Sequence, residues 1–294
     1  MNILTLTLIL ILSLGASFAD EATENLKGKN LVAWCIVPFD AMKRNPAERA
    51  EMLKELGIGR CAYDWRNEHV VEFEEEILQY KKHGIEYFAF WGGHESAFAL
   101  FEKHELHPQI WQTAPSPKAG TQEEQVATAV TSLEALAKRT STLGCKLGLY
   151  NHGGWGGEPE NLVAVCQGLR ARGHKHVGIV YNWHHGHGHI DDWKESLALM
   201  KPFLHCLNLN GMNDAAQPKI LPLAQGEHDL AMLKTVVTSG YEGPVGILDH
   251  QNKLDSKIAL GDNLDGLEWL KKELAKPGSG GTKPRPRQSS ESGK

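Results

Sequence analysis

The chain has 294 residues, with 31 Lys+Arg against 36 Asp+Glu, a formal net charge of -5, and five cysteines. That balance holds no basic stripe of the kind that tracks a phosphate backbone, so nucleic acid is set aside as a partner. Cys35, Cys61, Cys145, Cys166 and Cys206 show no CxxC or zinc-ribbon spacing and are odd in number, and three of them sit in apolar runs, which predicts buried thiols rather than a disulfide framework.

In chain order, Ile3 to Leu14 form an apolar and Thr/Ser run of about a dozen residues, followed by the small-residue stretch Gly15 to Ala19. This predicts a signal peptide over residues 1–19, since the run falls short of the roughly 18 to 20 residues of a permanent span. The expectation is an exported protein, secreted or periplasmic, with no stable membrane span after cleavage. An n-region of only Met1 and Asn2, without Lys or Arg, leaves an uncleaved anchor as the alternative.

Between residues 28 and 276 short apolar runs alternate with amphipathic stretches. Strands are predicted at Leu31 to Pro38, Gly59 to Asp64, Tyr87 to Trp91, Gln109 to Gln112, Lys146 to Asn151, His176 to Asn182, His205 to Asn210 and Val245 to Asp249. Helices are predicted at Pro46 to Leu56, Val71 to His83, Ser96 to His104, Glu123 to Leu143, Pro159 to Ala171, Asp191 to Pro202, Asp229 to Ser239 and Leu264 to Ala275. Asn45 before Pro46 reads as a cap, and Gly57, Gly84, Gly144 and Gly173 stand where helices stop. Eight βα units in this length predict a parallel (β/α)8 TIM barrel. An open doubly wound sheet is the alternative, although no GxGxxG or GxxxxGK[ST] follows the first strand. From Lys276-Pro277 onward no apolar side chain exceeds proline, and residues 277–294 are expected to form a disordered tail.

A parallel barrel places its chemistry at the C-terminal strand ends. The polar residues there are Asp64, His94, Tyr150, Asn151, His152, Asn182, Asn208, Asn210 and Asp249. Near them lie His184, His185, His187 and His189 in one glycine-broken loop, His250 after the last strand, and Trp91, Trp155 and Trp183 among the tryptophans. Indoles beside amides and imidazoles suit a sugar, whose apolar face stacks while its hydroxyls find hydrogen bonds. Asp64, Trp91, His94, Tyr150, Asn151, Trp155, Asn182, Trp183, Asn208 and Asn210 are therefore the expected substrate contacts. His152, His185 and Asp249 are the expected acid/base set, although strand spacing alone does not bring them within reach of one another. The partner is a small molecule or an oligosaccharide.

Three stretches carry a family likeness. Leu147-Gly-Leu-Tyr-Asn-His-Gly-Gly154 resembles an "LxxENHGG" strand, and Val177-Gly-Ile-Val-Tyr-Asn-Trp-His-His185 resembles "VGxxxDxxH". The pieces from His205, Leu221 and Gly240 resemble "HxHLKD … PLGxGxxD … GYxGxxxIE". Over about residues 30 to 275 the chain thus resembles the xylose-isomerase-like barrels, which include sugar isomerases and epimerases and AP-endonuclease-2-like proteins.

That resemblance implies a divalent metal held by Glu, Asp, His and Glu, and the pattern breaks here. The first Glu becomes Tyr150, the Asp becomes Asn182, the strand-seven His becomes Asn208, and the last Glu falls on Leu248 or, shifted by one, Asp249; His185 stays in place. Hard ions such as Mg2+ and Mn2+ need anionic oxygens, so neither is expected. Imidazoles alone can bind Zn, Cu or Ni, which makes His185, His187 and His189 the candidate metal ligands. Two readings remain: an exported sugar isomerase/epimerase-like enzyme with its metal carboxylates largely replaced, or a non-catalytic carbohydrate-binding barrel.

Overall fold

Short apolar runs form eight strands in the computed structural model, which describes residues 24–251 and 253–287. They are β1 Leu31–Trp34, β2 Arg60–Tyr63, β3 Glu86–Trp91, β4 Gln109–Thr113, β5 Leu147–Tyr150, β6 Val177–Asn182, β7 Leu204–Leu209 and β8 Val245–Leu248. Each pairs in parallel with the next, and β8 closes on β1 through the register Leu31↔Val245 to Trp34↔Leu248. That closure is what an open doubly wound sheet lacks, and it makes the molecule a (β/α)8 barrel.

The crossovers among the described residues are α1 Pro46–Glu55, α2 Phe73–His83, α3 Glu95–Lys103, α4 Gln122–Thr142, α5 Pro159–Ala171, α6 Trp193–Met200, α7 Asp229–Thr238 and α8 Ser256–Ala275. Asn45 caps α1 in a reciprocal box with Glu48, with Pro46 at the first turn, and Thr121 and Glu124 do the same for α4. Each box satisfies two amides that a helix start leaves without partners. None of the described helices is long and apolar enough to cross a membrane.

Alternation along the strands divides the core in two. Val32, Trp34, Ala62, Phe88, Trp111 and Tyr150 fill the barrel bore with Val180, Cys206 and Leu248. The opposite faces of the strands pack under the helices in one larger cluster. A methyl group at Gly246 would collide with Asn208 Oδ1, so β8 leaves the space that Asn208 occupies. All five cysteines are buried and free.

Two boundaries differ from the sequence reading by more than two residues. The first strand stops at Trp34 rather than Pro38, because Cys35 adopts a left-handed backbone (φ 61) that ends the ladder. The last helix starts at Ser256, eight residues before Leu264, where Asp255 accepts the amide of Lys257. Gly261, Asp262 and Asn263 read as a loop but are buried in α8, where Asn263 holds the amide of Leu223.

Residues 277–287, whose composition predicts disorder, run back along α8. Arg287 pairs with Asp262 and Asp265, and Lys283 lies over the Trp269 ring. The signal-peptide stretch 1–19 and the end of the tail, 288–294, lie outside the described residues.

Candidate functional site

At the C-terminal end of the barrel the bore opens into a cavity of about 160 Å³. Trp34 at the end of β1, Trp91 at the end of β3 and Tyr150 at the end of β5 form an aromatic cluster in its wall. Trp91 lies 5.5 Å from Trp34 and 5.0 Å from Tyr150, ring to ring. The Tyr150 hydroxyl accepts hydrogen bonds from Trp34 Nε1 at 3.0 Å and Asn182 Nδ2 at 2.5 Å. Burial raises the phenol above its ordinary pKa, so it keeps its proton. With two donors already pointing at its oxygen, that O–H is left to donate.

One carboxyl shares this wall. Asp64, just beyond β2, accepts the amide of Val37 at 3.2 Å through Oδ1, while its buried Oδ2 has no partner among the described residues. Burial lifts its pKa to about 7, against the opposing pull of the Val37 amide and Arg66. Arg66 itself donates to the carbonyls of Asp64 and Trp65, sits 5.4 Å over the Phe39 ring, and has no carboxylate partner among the described residues.

Imidazoles line the rest. His152 and His185 lie 4.5 Å apart, His185 and His184 4.3 Å, and His184 and His250 5.4 Å. Burial, reinforced by neighbouring imidazoles and Lys219, drives His185 down to about 2 and His184 to about 3, so both rings are neutral across the physiological range. His250 packs 4.0 Å from Phe39 and, like Cys35, has a left-handed backbone (φ 66). Two non-glycine residues in that conformation on neighbouring strand ends mark local strain of the kind that collects at functional sites.

The cavity therefore brings together Asp64, Trp91, Tyr150, His152, Asn182 and His185 from the residues expected by sequence. Several others lie elsewhere. Asn151 is a strand clamp: its Nδ2 donates to the Asn182 carbonyl at 3.0 Å and its Oδ1 accepts the Asn182 amide at 2.7 Å. His94 begins α3 and packs edge-on against Trp65 and Phe73. Trp155 donates to Gln122 at the α4–α5 side, and Trp183 is buried against Trp193 outside the bore. Asn208 and Asn210 are fully buried but absent from the cavity wall.

Asp249 also lies off the wall, because alternation turns Leu248 to the cavity and Asp249 away from it. There it accepts the Ser256 hydroxyl at 2.5 Å through Oδ2, and Oδ1 is buried without a partner among the described residues. Burial raises its pKa to about 8; the Ser256 bond opposes this, and Asp40 and Asp64 add to it.

The expected His185, His187, His189 ligand set does not converge. His187 Nδ1 is 3.2 Å from the His184 carbonyl, while His189 lies between Glu158 (2.9 Å) and Asp192 (3.1 Å), whose carboxylates raise its pKa against the effect of burial. Among the described residues, the group of three such side chains whose ligand atoms all come within 4.8 Å of one another is Asp214, Glu227 and His228, on the β7–α7 loop away from the cavity. Sequence reasoning left out Trp34, Cys35 and Phe39. Their only signal was position, at the end of the first strand and in the loop that follows.

Comparison with known proteins follows the same outline. Residues 38–273 match the model of the xylose isomerase-like TIM barrel. No curated protein matches the chain in sequence. Among solved structures it resembles 3-keto-D-glucoside 4-epimerase from E. coli, with a TM-score of 0.61 and 16% identity over 83% of this chain and 99% of that one. It also resembles D-psicose 3-epimerase from Clostridium cellulolyticum (0.59, 13%, 83% and 99%). A third is the probable 3-DHS dehydratase AsbF from Bacillus anthracis (0.63, 12%, 81% and 98%). At these identities the likeness is one of fold.

Proposed function

This chain belongs to the xylose isomerase-like TIM barrel family, and from that premise we propose that it is an exported sugar isomerase or epimerase that moves a proton on a carbohydrate or sugar derivative without the usual divalent metal. The observation that carries the proposal is a single buried carboxyl, Asp64, with a pKa of about 7 and one unpartnered oxygen, in the same small cavity as the His152–His185 pair and an aromatic wall. A carboxyl titrating near neutrality beside imidazoles is what proton exchange next to a carbonyl requires.

The roles follow from the environments. Asp64 is the acid in place of Asp249, which lies behind Leu248. His152, at the exposed edge of the cavity, is the base. His185 is a poor proton acceptor because burial holds its pKa near 2, and it serves instead as a neutral hydrogen-bonding group beside His152. His152 takes a proton from the carbon next to the sugar carbonyl while Asp64 protonates the carbonyl oxygen. The protonated His152 then gives its proton to the former carbonyl carbon while the Asp64 carboxylate takes the proton of the neighbouring hydroxyl, which completes isomerisation. In epimerisation the same carbon regains a proton on its opposite face from water, while Asp64 takes back the hydroxyl proton and His152 releases its own to solvent. The Tyr150 O–H supports the developing negative oxygen.

The donor set at the positions where the family resemblance implies a metal does not fit Mg2+ or Mn2+. Tyr150 is held protonated, Asn182 is tied to Tyr150 and the His184 amide, Asn208 is off the cavity wall and Leu248 is apolar. None of them offers the anionic oxygen that a hard ion needs.

The test is exchange in D2O with a panel of aldoses and ketoses, read by NMR as deuterium appearing next to the carbonyl. Wild-type exchange that disappears in Asp64→Asn supports the reading. Sugar binding without any exchange would turn it into the carbohydrate-binding alternative, and absence of sugar binding would overturn both. Export is tested by sequencing the mature N-terminus of protein recovered outside the cytoplasm, with cleavage expected near Ala19.

A further inference from the structure

Beside the barrel mouth lies a larger hollow of about 640 Å³ that shares His250 with it. Its walls are the β7–α7 loop at Ile220 to Pro222, the β8–α8 loop at Gln251, Lys253 and Leu254, and the returning tail at Pro286 and Arg287. The mouth cavity is small beside the roughly 300–1,000 Å³ of ordinary ligand sites, so a substrate with any sizeable substituent must place it elsewhere. The adjoining hollow is the space that meets it.

The charge there is one-sided. Asp262 is the carboxylate on its wall, and Arg287 neutralises it, donating through Nη1 at 2.6 Å and through its amide at 3.0 Å. Lys253 lines the same wall, is exposed, and makes no ion pair among the described residues. Where the two hollows meet at His250, Arg66 donates to backbone carbonyls and lies over the Phe39 ring, and Lys219, next to Ile220, has no carboxylate partner among the described residues. Burial, with help from both cations, lowers the pKa of His250. In a chain of net charge -5, Lys253, Lys219 and Arg66 have no ion-pair partner among the described residues, and only the largely protonated Asp64 carboxyl acts on Arg66 from nearby, so this opening is positive and suits an anion from outside.

We infer that the sugar substrate carries an anionic group, a carboxylate or a phosphate, which lies in the second hollow against Lys253 with Arg66 and Lys219 flanking its junction with the barrel mouth. The inference rests on the reading of the mouth as the sugar-ring site. Lysine supplies a point charge with rotatable donors, suited to either anion, while the fixed guanidinium of Arg66 orients it at the junction.

Calorimetric titration of the full chain tests this with matched sets: D-glucose, D-glucuronate and D-glucose 6-phosphate, and the galacto and manno equivalents. In at least one set an anionic member is expected to bind about tenfold or more tighter than its neutral partner, with the preference shrinking as salt is raised toward about 0.3 M. Which anion is preferred separates carboxylate from phosphate. Lys253→Ala and Lys219→Ala, both at exposed positions, are each expected to reduce the preference about threefold or more, and Lys253→Glu to abolish it, with unchanged thermal unfolding. Equal binding of neutral and anionic members, or a preference insensitive to all three substitutions, overturns the inference and leaves the sugar reading intact. If no member of any set binds, the sugar reading falls and this inference with it.

Discussion

The rings of His152 and His185 lie 4.5 Å apart at the barrel mouth, one exposed and the other held neutral by burial and by its imidazole neighbours. The two rings therefore differ in exposure and in role. His152→Ala is expected to lower the exchange rate by roughly 100-fold or more, the usual contribution of a general base. His185→Ala is expected to act mainly on KM. Steady-state kinetics of the two variants separates these roles, and a His185→Ala defect larger in kcat than that of His152→Ala would reverse them.

In the proposed reaction Asp64 sets the pH dependence. It acts as an acid only while protonated, and its pKa is raised to about 7, so kcat should fall as pH rises through about 7. His185, neutral until about pH 2, adds no inflection between pH 4 and 9. A pH profile of exchange checks this. Asp64→Asn should remove the falling limb together with most of the activity, and a limb that survives in this variant assigns the acid to another group.

Asp249 links stability to pH. Its folded pKa of about 8 lies above the ordinary carboxylate value, so the native state holds the proton more tightly than the unfolded chain. That contribution is complete below about pH 4, is lost as pH rises, and is gone above about 8. His184 and His185, with lowered pKa values, have the opposite sign and lose stability as pH falls below about 6.5. The difference between wild type and Asp249→Asn therefore isolates the carboxyl. Between pH 4 and pH 9 the variant should gain several kcal/mol on the wild type, up to about 6, as denaturant unfolding will show. The opposite trend would mean that Asp249 is ionised in the fold.

Much of this was legible in the sequence, because strand-helix alternation and caps such as Asn45–Pro46 are local signals. Closure through β1 and β8 makes those signals into one mouth, and Tyr150, His152, Asn182 and His185 meet there as their strand ends imply. The errors came from side-chain direction. A one-residue step turns Leu248 to the cavity and Asp249 away, and Asn151, next to Tyr150, points sideways to clamp Asn182. His94 stands just before a helix, without a capping hydrogen bond, and faces aromatic rings rather than the bore. Trp34, inside the predicted first strand, carries no local sign of a site, and it is core on one side and cavity wall on the other. Residues 277–287 lack apolar bulk, yet ion pairs to α8 hold Arg287, a long-range contact that composition does not encode.

Arg49 of α1 and Glu76 of α2 form a bidentate pair at 2.9 and 3.1 Å with both side chains almost wholly buried. Arg49 also donates to the carbonyl of Arg44, whose guanidinium holds Asp40 beneath the mouth. Glu76→Ala leaves the buried guanidinium with only the partly exposed Glu72, 3.7 Å away, as counter-charge and should cost about 3 kcal/mol. The double replacement Arg49→Met with Glu76→Leu should cost much less, since it removes both charges together. Equilibrium unfolding of the two variants decides, and equal losses would show that the pair acts through packing alone.

The family's metal chemistry gives the last prediction. An ion that binds the native state at 100 times its Kd stabilises it by about 2.7 kcal/mol, which for a domain of this size raises the melting temperature by roughly 5–10 °C. At the four positions where the resemblance implies ligands, this chain has Tyr150, Asn182, Asn208 and Leu248 or, shifted by one, Asp249, which lies off the cavity wall, and the first two are already hydrogen-bonded to each other. A ligand role for Tyr150 would need the phenolate, which burial opposes, and Asn182 would have to give up the amide of His184. Millimolar Mg2+ or Mn2+ should therefore leave the melting temperature within about 1 °C of its value in chelator. Returning carboxylates at two of these positions, Tyr150→Glu with Asn182→Asp, should make it metal-dependent if the β5 and β6 ends still face a common ion. Scanning calorimetry distinguishes the two proteins, and a rise of several degrees in the wild type would show that the mouth binds metal through groups other than these four.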